Sequence, residues 1–483
     1  MRRTRTSALA ALALLNVFTL AAGITVARML PPRLALLRVP VVASRPVVNA
    51  TPVLAPVAAS ATKTQATALP TSSGLAAMLG AALPASATGA GVGIEVTDAA
   101  TGRVLYSDNA STPATPASTT KLVTAAAALS VLGPGARFST SVRQVGDTVV
   151  LVGAGDPTLA VNEYPSSDYP RPATLAQLAA GTARALKAQG RRSVRLGYDT
   201  SLYSGPDIAQ GWTDGDIYTG NVTPIAALEA DQGRLTAAGA LEDADDPLNY
   251  RPRTTDPAGL TAAAFAGLLE QDGITVAGPP AQTAAPATAR LLSSVSSPTV
   301  AAMAEQMLQE SNNVIAENLA RHVAIALGLP ATFAGAAQAD ITVLRRLGIS
   351  APIQLVDGSG LSPDDAIAPE TLVQVLRLAA STPSLRSVIT GLPVAGFSGT
   401  LSAGGSVFGA IGNAADGTAR GVVRAKTGNL TTVASIAGLV YDQGGRLLLF
   451  AIMAPRVPGA GQLPDAADAI NAAAAGLATC GCG

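Results

Sequence analysis

Histidine and cysteine are almost absent from this chain, and each absence removes a class of chemistry. His322 is the single histidine. One imidazole cannot assemble a histidine-rich zinc site. A serine–histidine–aspartate hydrolase would have to rest on that residue, and no G-x-S-x-G elbow accompanies it. His322 therefore reads as a partly buried helix residue without a catalytic role. The two cysteines, Cys480 and Cys482, lie at the extreme C-terminus. A catalytic thiol there would sit on a fraying tail. An ordinary bridge between residues so close in sequence is not expected on geometric grounds, which leaves a strained or intermolecular pairing. Nothing calls for a metal or another cofactor. Charged residues are 13% of the chain and the formal net charge is zero, so there is no basic face for a nucleic acid. Lysine is scarce as well: only Lys63, Lys121, Lys187 and Lys426 occur, and arginine fills the remaining basic positions.

What is present is aliphatic. Hydrophobic residues make up 48% of the 483 positions and aromatics only 3%, so cores must be built from Ala, Val, Leu and Ile. The length suits about three domains. At the N-terminus, Arg2, Arg3 and Arg5 precede an apolar run from Ala8 to Ala27 that Arg28 closes. The run is long enough to span a bilayer and longer than the usual core of a secretory signal. With the basic flank inside, residues 1–30 read as an uncleaved signal anchor that places the rest of the chain outside the cytoplasm. A cleaved signal peptide is the second reading, because Leu20-Ala21-Ala22-Gly23 offers small residues for cleavage. Residues 31–73, rich in Pro, Ala, Val, Thr and Ser without helical period, read as an extended linker.

The body begins with a hairpin, Gly91–Asp98 and Arg103–Tyr106. Pro116-Ala117-Ser118-Thr119-Thr120-Lys121-Leu122 follows, running into alanines and leucines, and predicts the first turn of a buried helix. Residues three apart on a helix share a face, so the Ser118 hydroxyl and the Lys121 amine can meet. A neutral amine there can take the hydroxyl proton and activate the serine, and the helix dipole and the apolar flank both disfavour the ammonium form. From Arg137 short strand-like runs alternate with turns and helices, and residues 136–289 read as inserted material. Helical periodicity returns at Thr299, where Ser311-Asn312-Asn313 breaks two apolar helices and supplies a new N-cap. Asp357–Ser362 is a turn-rich loop. Near the C-terminus, Gly421–Gly428, Ser435–Tyr441 and Arg446–Ala454 predict an antiparallel meander, and a last helix runs from Pro464 to Leu477. Helices before and after such a meander predict an α+β fold.

Taken alone, S-T-T-K, S-N-N and K-T-G each match a capped helix, a helix break or a strand end. In order, with the first on a helix start and the last on a strand, they form the element set of serine penicillin-recognising enzymes. Two of the four lysines fall within it. On these residues, and on Gly153–Leu159, Ser311–Glu317, Asp357–Ser362 and Leu392–Gly396, the chain resembles the D-Ala-D-Ala carboxypeptidase/endopeptidase family of the penicillin-binding protein 4 type, from Gly74 to Pro455. The resemblance implies a β-lactamase/penicillin-binding-protein-like catalytic domain from residues 74–135 and 290–483, interrupted by the insertion at 136–289. It implies peptidoglycan stem peptides as substrates and β-lactams as ligands, in the cell envelope.

The resemblance also implies roles. Ser118 is the nucleophile, Lys121 its general base, and Ser311 the proton relay to the leaving amine. Asn313 bonds the substrate backbone, while Lys426 and Thr427 receive the terminal carboxylate. Gly428 belongs to the same K-T-G strand, and the amides of Ser118 and Asn429 form the oxyanion hole. Asp216 faces the amine of a diaminopimelate side chain, with Asp214 as a competing candidate. Two departures stand out: Asn429 occupies a position where the family has Ser or Thr, and S-N-N replaces S-D-N. The competing functions are a β-lactamase or esterase on the same scaffold, and a catalytically impaired envelope scaffold protein.

Overall fold

The computed structural model describes residues 69–163, 169–236, 251–402 and 419–482. The apolar N-terminal run and most of the linker lie outside these residues. Among the described residues no helix is long and apolar enough to cross a membrane.

The chain opens with helix α1 (Ser72–Ala82), strands β1 (Gly93–Asp98) and β2 (Val104–Asp108), a 3-10 turn at Ala117–Thr120 and helix α2 (Lys121–Val131). Next come β3 (Ser139–Val145), β4 (Thr148–Val152), α3 (Leu175–Ala188), β5 (Ser193–Asp199), α4 (Pro257–Gln271), β6 (Thr275–Val276), β7 (Ala281–Gln282) and β8 (Arg290–Ser296). Helices α5 (Val300–Glu310), α6 (Asn313–Ala326) and α7 (Phe333–Arg346) follow. The short pair β9 (Ile353–Gln354) and β10 (Ala366–Ile367) and helix α8 (Pro369–Ser381) come next. The meander β11 (Arg424–Leu430), β12 (Val433–Tyr441) and β13 (Leu447–Ala454) and helix α9 (Leu463–Thr479) end it. The expected α+β class is the one observed.

One sheet has the order β11-β12-β13-β1-β2 and is antiparallel throughout. Its centre is buried on both faces, and the two-residue period of a strand divides its side chains between two cores. In β13, Leu447, Leu449, Ala451 and Met453 join the core under α2, α5, α6, α7 and α8. Leu448, Phe450, Ile452 and Ala454 join the core under α1 and α9. Helix α2 is buried from Lys121 to Leu129. Its run of four alanines suits a helix enclosed by α5, α6, α7 and α8, because small side chains let helix backbones approach.

The second sheet, β6-β5-β4-β3-β8 with β7 against β5, is mixed: β4, β5, β6 and β7 pair in parallel, and β3 pairs antiparallel with β4 and β8. With α3 and α4 it has its own core. Strand β8 lies beyond Ala289 and belongs to this sheet. A small fourth cluster, Ala209, Trp212, Val222, Ile225, Val314 and Phe333, joins a loop of the inserted region to α6 and α7.

His322 is half-buried, as expected, its ring stacked 3.5 Å from that of Phe138. Its Nε2 lies 3.2 Å from the Gly155 carbonyl, and burial lowers its pKa to about 4. It touches none of the three motifs. Of the two pairings left open by the sequence, the structure has the one within the chain: Cys480 and Cys482 pair with each other, their Cα atoms 5.0 Å apart.

Candidate active site

The turn that carries Ser118 is held in an unusual backbone conformation. Ala117, just before it, has φ 49°, a left-handed setting that costs a residue with a Cβ about 1–3 kcal/mol. The surroundings over-determine it. The Pro116 carbonyl accepts from Thr119 Oγ1 at 2.7 Å and Ser435 Oγ at 2.6 Å. Gly360 packs so tightly on the Ala117 carbonyl that a Cβ there would lie 1.9 Å from the oxygen. Ser118 itself remains partly exposed, facing a cleft of about 380 Å³.

Lys121 points into that turn from the first residue of α2. Its Nζ donates to Ser118 Oγ at 2.9 Å, to Asn313 Oδ1 at 2.6 Å and to the Ser359 carbonyl at 2.7 Å. The side chain is fully buried. Burial is the main cause of a pKa lowered to about 7, and the nearby Asp357, Glu317 and Asp365 oppose it. An amine so poised is neutral in a large fraction of molecules near neutral pH and can accept a proton from Ser118.

Ser311, Asn312 and Asn313 form the second corner. Ser311 closes α5 with a left-handed φ of 59°, and Asn312 caps α6 by accepting from the Ile315 amide at 3.1 Å. The break between the helices brings Ser311 Oγ to the third corner. There Lys426 Nζ, on β11, donates to it at 2.9 Å and to the Thr427 carbonyl at 2.7 Å. Burial, with Lys121 nearby, pushes the Lys426 pKa well below its ordinary value. Thr427 Oγ1 lies 2.8 Å from Thr400 Oγ1. Gly428 packs on the nucleophile turn, where a Cβ would lie 2.9 Å from the Ser118 amide nitrogen. Strand β11 is an edge of its sheet, so alternate backbone groups along it lack a strand partner. Asn429 is exposed and lines the cleft with Thr427 and Leu430.

The three motifs therefore converge, with each motif lysine donating to the hydroxyl of one motif serine. Asp216 also lines this cleft; Asp214 is exposed outside it. Asp216 closes a capping box, with Oδ2 accepting from the Thr213 amide and hydroxyl, both at 2.8 Å. Its Oδ1 faces Asn221 Nδ2 at 3.4 Å.

Several contributors were not visible in the motifs. Asp357 organises the loop after β9: its carboxylate accepts from the amides of Ser359, Gly360 and Ser362 at 3.0, 2.6 and 2.7 Å and from Trp212 Nε1 at 2.8 Å. Glu317 accepts from the Gly358 amide at 3.1 Å, and its burial, followed by the charge of Asp357, raises its pKa to about 8. Arg234 and Arg253, both buried, line the far side of the cleft from the inserted region. Among the described residues no cluster of His, Cys, Asp and Glu has the arrangement of a metal site.

Comparison with known proteins shows the family and the fold. The chain matches the Peptidase S13 family, described as D-Ala-D-Ala carboxypeptidase 3 (S13), over residues 75–238 and 229–477. It is similar to carboxypeptidase DacB of Mycolicibacterium smegmatis, 38% identical over 421 residues that cover 86% of each chain. It is also similar to a D-alanyl-D-alanine carboxypeptidase of an Actinomadura species, 30% identical over 74% of this chain and 77% of that one. Its fold resembles the crystal structure of penicillin binding protein 4 from Haemophilus influenzae, with a TM-score of 0.63 and 24% identity over 78% of this chain and 92% of the other.

Proposed function

Because this chain belongs to the D-Ala-D-Ala carboxypeptidase (S13) family, we propose that its reaction is carried by Ser118, Lys121, Ser311 and Lys426. The enzyme is a serine D-Ala-D-Ala carboxypeptidase acting on peptidoglycan, and its substrate lies outside the cytoplasm. Ser118 Oγ attacks the carbonyl carbon of the penultimate D-Ala while its proton passes to Lys121 Nζ. The oxyanion forms between the amides of Ser118 and Asn429; such donors are worth several kcal/mol in acyl transfer. Collapse breaks the peptide bond, and Ser311 relays to the departing amine of the terminal D-Ala the proton that Lys121 took from Ser118. Water then attacks the acyl-serine ester and releases the shortened peptide.

Burial, followed by the charge of Lys121, holds the Lys426 amine below its ordinary pKa, and among the described residues no carboxylate forms an ion pair with it. An incoming terminal carboxylate supplies the missing counter-ion and restores the ammonium form. Thr427 and Gly428 shape the same wall. Asn429 contributes its backbone N–H, which any side chain preserves. Asn313 orders Lys121 and faces the substrate backbone. Asp216 lies on the cleft wall where an amine-bearing side chain of the stem peptide would reach. We read residues 74–135 and 290–483 as the catalytic body and 136–289 as the insertion, with β8 completing the insertion's sheet. The same centre is open to acylation by penicillin. Residues 1–30 serve as a membrane anchor in this reading.

The single observation that carries the proposal is the 2.9 Å contact between a fully buried lysine amine and the Ser118 hydroxyl. Intact-mass spectrometry of the full chain with benzylpenicillin, beside Ser118→Ala, tests it. A persistent adduct on the parent that is absent from the variant is expected. Penicillin consumed without an adduct would mark a β-lactamase instead. Penicillin left intact without an adduct would mark an impaired scaffold.

A further inference from the structure

Lys121 has two oxygen partners besides Ser118, and both are braced from one stretch of the inserted region. The first is the Ser359 carbonyl, 2.7 Å from Nζ. The loop that presents it is folded around the Asp357 carboxylate, and Trp212 Nε1 donates to that carboxylate at 2.8 Å. Asp357 and Ser359 are fully buried and Trp212 is nearly so. The second partner is Asn313 Oδ1, 2.6 Å from Nζ. The other end of the same amide donates from Nδ2 to the Asn221 carbonyl at 3.0 Å.

Trp212 and Asn221 lie at the two ends of one short segment. Between them, the Thr213–Asp216 capping box starts the helical turn Asp214–Tyr218. The buried Arg253 guanidinium holds the adjacent Gly220 carbonyl at 3.1 Å from Nε and 2.9 Å from Nη2. The segment is thus stiffened internally and pinned to its own module, and it reaches one acceptor directly, at Asn313, and the other through Asp357.

We propose that the segment Gly211–Val222 positions Lys121, Trp212 acting through Asp357 and Ser359 and Asn221 acting through Asn313, so that the reactivity of Ser118 depends on a module contributing no reacting atom. This rests on the reading of Lys121 as the base. Trp212 is a positioning residue here and touches neither Ser118 nor substrate.

The charged groups facing Lys121 are Asp357 and Asp365 from the loop, Glu317 from α6 and Lys426 from β11. Asp357 favours the ammonium form, as does the carbonyl that its loop presents. Loosening that loop leaves burial as the dominant influence, which disfavours the ammonium. The expected signature of a loosened brace is therefore a lower rate of acylation with its pH midpoint displaced downward.

Trp212→Phe removes the indole N–H while keeping a ring in the small apolar cluster. Phe333→Leu is its control: Phe333 packs edge-on against Trp212 with ring centroids 5.3 Å apart, so this change disturbs the packing and spares the hydrogen bond. Acylation of the full chain by a fluorescent penicillin is followed from pH 5 to 9, with the thermal midpoint measured alongside. In Trp212→Phe the plateau rate is expected to fall about tenfold, with the midpoint below the parental one. Phe333→Leu is expected to lose stability and keep the parental midpoint. A Trp212→Phe midpoint at or above the parental value, or the same displacement in Phe333→Leu, would overturn the positioning role. Ser118→Ala, run in parallel, separates the two levels. If it loses the adduct while Trp212→Phe behaves as the parent, the positioning role alone fails; if it keeps the adduct, the reading beneath it fails.

Discussion

Gly428→Ala tests how closely the third motif must approach the nucleophile. Gly428 lies in regular strand backbone opposite Ser435, so alanine meets no conformational objection there; the difficulty is space. A Cβ would lie 2.5 Å from Ser435 Oγ, 2.8 Å from the Pro116 carbonyl oxygen and 2.9 Å from the Ser118 amide nitrogen. Ser435 can rotate away, at the loss of its 2.6 Å bond to that same carbonyl. The other two contacts are backbone, so the nucleophile turn and β11 must separate by about 0.5 Å to reach ordinary contact distance. That displacement widens the gap between the Ser118 and Asn429 amides. Removing one oxyanion donor costs about 10²–10³ in rate, and a misplacement of about 1 Å costs about 10². A partial displacement of both groups puts the expected loss near 10²-fold, or about 2.7 kcal/mol of barrier. Overpacking should lower stability by about 1–3 kcal/mol. The assay is the second-order rate constant for acylation of the full chain by a fluorescent penicillin, with thermal unfolding as the check on fold. An acylation rate within twofold of the parent in a folded variant would refute the close-approach argument.

Other consequences follow from the buried ionisable groups. With a Lys121 pKa of about 7, the neutral fraction rises from about a tenth at pH 6 to about nine-tenths at pH 8, so acylation should rise about tenfold across that interval. Lys121→Arg, permanently charged, should acylate about 10²–10⁴-fold more slowly and show no such limb in a pH–rate profile. Thr124 has one hydroxyl proton, which goes to the Gly358 carbonyl at 2.6 Å, so Asp340 Oδ2 at 3.1 Å is best paired when protonated. Burial raises the Asp340 pKa from 3.8 to about 7. Its stabilising contribution is complete below pH 4 and is lost as pH rises toward 7. Asp340→Asn should remove this part of the decline, and chemical denaturation at pH 5 and pH 8 would detect it as a variant that gains on the parent at the higher pH. Asp216→Asn keeps an acceptor for the Thr213 amide and removes the charge. Its kcat/KM preference for peptides bearing a side-chain amine over alanine peptides should fall about tenfold; an unchanged ratio would discard the assignment.

The parts of the site legible in the sequence are those in which side-chain type and spacing carry the information. Ser118 and Lys121 meet because they stand three positions apart in a helical start, and the meander around Lys426 announces itself by the apolar runs Val433–Tyr441 and Leu447–Ala454. The brace around Lys121 was not legible because its key acceptors are the Ser359 and Asn221 carbonyls, and every residue has a carbonyl. Asp357 reads as part of a turn; three of its N–H partners are amides of that loop, and the fourth, Trp212, comes from far upstream. Strand β8 escaped because Arg290–Ser296 is partly exposed along its length and lacks a clean alternation.

Trp212 is the chain's one tryptophan, and it sits where the inserted region meets the loop beneath the base. The protein thus carries a single indole fluorophore, at this joint. Its indole is shielded from water, rests against Phe333 and is hydrogen-bonded to a carboxylate. Tryptophan emission therefore reports one environment rather than an average over several. A spectral change during acylation originates at the contact between module and loop, and stopped-flow records of the unlabelled protein can time that contact against the chemistry at Ser118.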